Sequence, residues 1–173
     1  MIQIIGYLSA IVLAESVTVF VHPLWGVVLH IVTLVALVAH SALAPRSPHH
    51  KLFISLALVP LVRIISLSLP LAGIPQLWWY PIIYAPLLAA GIVVMRVLEY
   101  RPAQVGISLS KLPIQVGVGL TGVVLGVTEY YILRPDALIT ELTWQQVWLP
   151  AIIFLLSTGF VEEFIFRGVL QTS

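Results

Sequence analysis

Six stretches of this chain, 4–21, 25–43, 52–72, 78–98, 114–133 and 149–170, are nearly unbroken runs of apolar residues separated by short polar breaks. Runs of roughly 18 to 22 residues match the length a helix needs to cross a hydrocarbon core about 30 Å thick at 1.5 Å per residue. Inside lipid each backbone N–H and C=O must find a partner within its own segment, which leaves only helices or a closed barrel, and these runs lack the alternation a barrel strand requires. The expected fold is therefore all-α, a polytopic bundle of about six transmembrane helices.

Composition agrees with that class. Of the 173 residues, 60% are hydrophobic and 9% charged, and the mean hydropathy is +1.09. Soluble domains carry about 25% charged residues. The chain has no cysteine, which excludes disulfides, thiolate nucleophiles and Cys-ligated metals. Its formal net charge of +1 comes from basic residues scattered among loops, so no nucleic acid partner is expected. A lipid bilayer is. The first run is read as a retained helix rather than a signal peptide, because no Lys or Arg precedes it.

Charge placement gives a direction. Arg46 and Lys51 lie in the second break, and Arg96, Arg101 and Lys111 flank the fourth, whereas the other breaks hold few or no basic residues. The excess of Lys and Arg on one side puts both termini in the cytoplasm. Trp25, Trp78, Trp79, Trp144 and Trp148 all fall at the opposite ends, where amphipathic indoles prefer the interface. No internal repeat or soluble domain is visible, so residues 1–173 are read as a single transmembrane domain. The 134–148 connection is expected to hold a short amphipathic helix around 142–147.

Within the last run stand Glu162, Glu163 and Arg167. A charge near the bilayer centre costs about 2.5 to 3.5 kcal/mol on insertion scales, so such groups face a protein interior and mark functional positions. In the expected orientation Glu162 lies about 20 Å along the helix from Leu149, in the cytoplasmic third. Glu163 and Arg167 are spaced to form an i, i+4 pair, which leaves Glu162 the less compensated carboxylate and a general-base candidate.

The segment Val161-Glu162-Glu163-Phe164-Ile165-Phe166-Arg167-Gly168 resembles the first motif, Glu-Glu-x-x-x-Arg, of the CPBP family, the CAAX proteases and bacteriocin-processing enzymes of membranes. The resemblance implies an intramembrane endopeptidase with a peptide or protein C-terminal region as substrate, in a bacterial or archaeal cell membrane. It assigns Glu162 to activation of the attacking water, Glu163 to the second acid and Arg167 to the basic partner. It also allows zinc or another divalent metal, for which this chain holds no complete ligand set. The family's later motifs, Phe-x-x-x-His and His-x-x-x-Asn or Asp, have no counterpart after Gln171. The expectation is thus a chain truncated after the helix bearing the first motif, carrying only part of a catalytic set. Two other classes stay open: a non-catalytic immunity or binding protein of the same fold, and a transporter-like bundle in which the charges are structural.

The remaining polar residues have plainer readings. His30 and His40 are ten apart, about 80° off a common face, and cannot act as an i, i+4 ligand pair. His49 and His50 are expected in a basic cytoplasmic loop, solvated or in contact with lipid headgroups, and His22 in a tight turn before Pro23. Glu15 and Arg63, each about 16 Å in from the cytoplasmic ends of their helices, are expected to neutralise one another. Glu129 is expected near interfacial water. Gly122 and Gly126 suggest close helix packing, and Pro60, Pro70, Pro81 and Pro86 suggest kinks.

Overall fold

In the computed structural model, residues 2–108, 112–134, 141 and 143–173 are described, and every regular element among them is helical. The elements are α1 (Ile2–Phe20), α2 (Pro23–Leu43), α3 (His50–Leu56), α4 (Leu58–Ser68), α5 (Gln76–Val97), α6 (Leu112–Leu133), α7 (Trp144–Phe154) and a π-helical segment, Leu155–Leu170, that continues α7. Taken as α3 with α4 and α7 with the π segment, they form six helices long and apolar enough to span a membrane. The chain is an all-α polytopic bundle and reads as a multi-pass integral membrane protein.

The two N-terminal helices form a hairpin. His22 caps α2, its Nδ1 accepting from the Leu24 N–H at 3.2 Å, and Pro23 takes the first helical position, where its missing N–H costs nothing. Gly26 lies so close to α1 that a Cβ there would stand 1.8 Å from Thr18 Oγ1. Further along the pair, the Tyr7 hydroxyl donates to the Ala36 carbonyl at 3.2 Å and lies 3.0 Å from His40 Nδ1. The Tyr7, His40 and Phe53 rings cluster at centroid separations of 4.6 to 5.7 Å. His40 is thus part of the helix packing.

Several expectations need correction. The third run, expected over 52–72, breaks at Ala57 and ends at Ser68. Pro60 supplies the cause, since it has no N–H for the Leu56 carbonyl and sits in the first turn of α4, where that loss is tolerated. Pro70 lies beyond the helix, whereas α5 runs through both Pro81 and Pro86. His50 is not in a loop: half-buried, it opens α3, and its ring Nδ1 lies 2.8 Å from Ser41 Oγ and 3.1 Å from the Ser41 carbonyl, tying α3 to α2. The separate amphipathic helix expected over 142–147 is absent from its described part, because Trp144 already opens α7; Leu142, like Lys111 and Asp136, lies outside the described residues.

A buried cluster of Leu58, Leu87, Leu98, Tyr100, Val105, Val161, Phe164, Ile165 and Val169 joins α4, α5 and the π segment. A second, around Ile11, Leu37 and Phe53, joins α1, α2 and α3. At one end of the bundle α5 stops with Glu99 in the left-handed region (φ 57°), while Tyr100 N–H bonds the Met95 carbonyl and Glu99 N–H the Arg96 carbonyl. This Schellman-type turn brings Tyr100 under the π segment, where its hydroxyl donates to the Thr172 carbonyl at 3.3 Å and Lys51 Nζ lies 5.0 Å from its ring. Burial raises the Tyr100 hydroxyl pKa above its ordinary value. Helix α6 is different. None of its residues is buried, and a Cβ at Gly117, Gly119, Gly122 or Gly126 would meet nothing within 4 Å. The expected packing through Gly122 and Gly126 does not occur within the described residues, and Glu129 is exposed there.

Glu15 and Arg63 do meet. Arg63 Nη2 donates to Glu15 Oε2 at 2.8 Å and Nε makes an ion contact with Oε1, linking α1 to α4. His30, fully buried on α2, lies 3.6 Å from Glu15 Oε1. Replacing Arg63 with Met strands the Glu15 carboxylate, and because both side chains are about one-third exposed the expected loss is about 2 kcal/mol, between surface and buried pairs. Thermal unfolding in detergent checks it: the midpoint should fall for Arg63→Met and recover when Glu15→Gln is added. A fall that deepens in the double variant would contradict the pairing.

Candidate functional site

The segment bearing the three charges is not the α-helix its spacing suggests. Over Leu155–Leu170 the backbone is π-helical, with i→i+5 bonds, a geometry that is rare and normally limited to single-turn bulges at functional sites. The Thr158 hydroxyl donates to the Phe154 carbonyl at 2.9 Å, the acceptor that an α-helix would reserve for the Thr158 N–H. Gly159 follows with nothing closer to its missing Cβ than 3.6 Å.

The wider turn changes the expected geometry twice. A π-helix rises less per residue than 1.5 Å, so Glu162 is nearer Leu149 than the 20 Å an α-helix gives. It also makes i+5 nearly a full turn, so Arg167 stands one turn from Glu162 as well as from Glu163. Both acids consequently share one cavity of about 360 Å3, lined by Thr158, Glu162, Glu163, Phe166, Arg167 and Gln171. The two-face separation expected from 100° steps is reduced.

The acids nonetheless have different partners. Arg167 Nε lies 3.2 Å from Glu163 Oε2, and both side chains are more than half exposed. This pair is the one the spacing predicts. Glu162, half-buried, accepts a hydrogen bond from the Tyr84 hydroxyl of α5. Tyr84 is the partner of the motif that pattern reasoning passed over. Its signal was a phenol in the middle of an apolar helix, between Pro81 and Pro86, since a Tyr at such depth needs a partner for its O–H.

Close packing holds the segment in place. A Cβ at Gly168 would stand 2.5 Å from the Val105 carbonyl oxygen, and one at Gly91 of α5 would stand 2.8 Å from the Phe164 ring. The π segment is thereby held against α5 and the 102–107 loop. Beside the Gly168–Val105 contact a cleft of about 520 Å3, also walled by Gly106 and Ile107, runs between the segment and α6, mostly apolar, with Glu163 and Arg167 in its lining.

Of the sequence-derived site residues, Glu162, Glu163 and Arg167 come together. The histidines do not join them: His30 and His40 belong to α2, and His49 and His50 to the α2–α3 connection and α3. Among the described residues no three His, Asp or Glu side chains gather in a way that would hold a metal ion. The two acids at hand are already engaged by Tyr84 and Arg167. The described residues therefore do not fit the divalent metal that the motif's resemblance allows, and no step is assigned to one. Comparison with protein-family models, with curated proteins and with solved structures gives no match.

Substituting Gly168 by Ala forces the Val105 backbone away from the π segment, an overpacking expected to cost about 1 to 3 kcal/mol. Thermal unfolding in detergent measures it, and an unchanged midpoint would mean that this close approach does not support the site.

Proposed function

We propose that the chain carries the carboxylate part of an intramembrane peptide-hydrolysing site of the CPBP type, with Glu162 as general base. The observation that supports this most is the asymmetry of two adjacent acids around one cavity. Glu163 is neutralised by Arg167, whereas Glu162 is held by a neutral phenol and keeps its own charge uncompensated. Unequal environments for neighbouring carboxylates are how one is reserved for proton transfer.

In the reaction, water between Glu162 and the substrate gives a proton to the Glu162 carboxylate as its oxygen bonds to the peptide carbonyl carbon. The carbonyl electron pair moves to oxygen. When the tetrahedral intermediate collapses, the C–N bond breaks and the amine nitrogen takes the proton from Glu162. Tyr84 orients the carboxylate through its hydrogen bond, and Arg167 holds Glu163 and the local charge balance. A donor for the oxyanion and a second acid or base lie outside this trio. The apolar cleft beside α6 suits an extended peptide arriving sideways from the bilayer.

A second reading draws on the Glu15–Arg63 pair beside buried His30, a polar centre outside the motif that a transporter-like bundle would use structurally. A non-catalytic immunity or binding role for the same fold is the third. Terminal sequencing of membrane proteins from cells expressing the full-length protein, as wild type or as Glu162→Gln, separates the first reading from the others. New peptide termini near membrane-embedded segments should appear with the wild type and fall by about 100-fold or more in the variant, the range set by loss of a general base. Identical termini in both, or none specific to the wild type, would overturn the proposal.

A further inference from the structure

A cavity of about 290 Å3 lies between α4 and α5, apart from the two at the motif, and its polar lining is Arg63, Ser66, Gln76, Trp79, Tyr80 and Tyr84. We propose that it is an aqueous vestibule, admitting water into the membrane from the 69–75 end of the bundle as far as the Tyr84–Glu162 hydrogen bond. That bond then divides it from the cavity containing Glu162 and Glu163.

Three observations carry this. The first is Arg63. Its guanidinium is paired with Glu15, yet the side chain remains 34% exposed and lines the cavity. Ionisable groups at membrane depth face protein or a water-filled space, because lipid offers them nothing. The second is size and chemistry. At about 30 Å3 per water the space holds several molecules, and they need polar partners of the kind its lining supplies. The third is position. Gln76 is the first residue of α5 and Ser66 lies in the last turn of α4, so the cavity begins at the 69–75 connection. Tyr84 is eight residues further on, about 12 Å deeper at 1.5 Å per residue.

The motif cavity begins at the other end. It reaches Gln171, beyond the π segment, next to Thr172, whose hydroxyl donates to the Gln104 carbonyl past the far end of α5. Tyr84 lines the first cavity and its hydrogen-bond acceptor, Glu162, lines the second. One side-chain contact therefore stands between two spaces, each with polar groups in its lining, entered from opposite ends. The vestibule does not depend on peptide hydrolysis and would stand if Glu162 catalysed nothing. If hydrolysis does occur, the vestibule is a route for its water.

The absence of cysteine makes the test direct. Single cysteines are placed at Ser66, Ile83 and Thr158, with Val93→Cys as the control on the exposed face of α5. Each variant is treated with a membrane-impermeant cationic methanethiosulfonate reagent, in sealed vesicles of either orientation. The reagent needs a thiolate, which forms in water and not in lipid. Ser66→Cys and Ile83→Cys should react from one face and Thr158→Cys from the other, each at least about tenfold faster than Val93→Cys. Adding Tyr84→Ala should open Thr158→Cys to the face that reaches Ser66. Two vestibule positions keep the test alive if one variant fails to fold. Reaction at Ser66→Cys and Ile83→Cys no faster than at Val93→Cys, or equal reaction of all positions from both faces, would overturn the proposal.

Discussion

A charged side chain within a bilayer must be neutralised, hydrogen-bonded or wetted, and that requirement organises this molecule more than any detail of apolar packing. The helices are held by unspecific surfaces that lipid can match almost as well. What distinguishes one arrangement from another is where Glu15, Arg63, Glu162, Glu163 and Arg167 find partners. Glu15 and Arg63 tie α1 to α4, with His30 of α2 nearby. Glu162 reaches α5 through Tyr84, while Glu163 and Arg167 satisfy one another along the π segment. The charged links between helices therefore run through Glu15, Arg63 and Glu162, with the phenol of Tyr84.

From that follows an uneven bundle. Helices α1 to α5 and the π segment share two buried clusters, and glycines at 26, 91 and 168 allow approaches that any side chain would block. Helix α6 takes no part in this core, and its glycine face meets nothing within 4 Å. The apolar cleft it leaves beside Glu163 and Arg167 is the widest of the spaces at the motif. A bundle firm on one side and loosely closed on the other is a suitable frame for a site approached from the plane of the membrane.

Much of this was legible in the residues. The six spans follow from run length alone, and the Glu15–Arg63 and Glu163–Arg167 pairs follow from depth and i, i+4 spacing. What escaped had a physical reason in each case. The π geometry over Leu155–Leu170 is a choice of backbone acceptor, i→i+5 over i→i+4, and a nearly all-apolar run has no periodic pattern to record it. The Tyr84 contact joins residues 78 apart in the chain, a separation no local pattern encodes. His50 was placed in a loop because its surroundings are basic, whereas it opens α3 and its ring is held by Ser41 from the preceding helix. The Gly122 and Gly126 face promised packing because small residues permit close approach, but permission is not a partner.

The claim on which the functional reading rests is that Tyr84 and Glu162 act as one unit, setting Glu162 apart from the acid beside it. A double-mutant cycle on thermal stability tests it most directly, using Tyr84→Phe, Glu162→Gln and their combination in detergent or lipid nanodiscs. Phe keeps the ring and removes only the hydroxyl, and Gln keeps the shape and removes the charge. A coupling energy of about 1 kcal/mol or more between the two substitutions is the predicted result. Effects that add within about 0.5 kcal/mol would contradict it, and would leave Glu162 with no partner to distinguish it from Glu163.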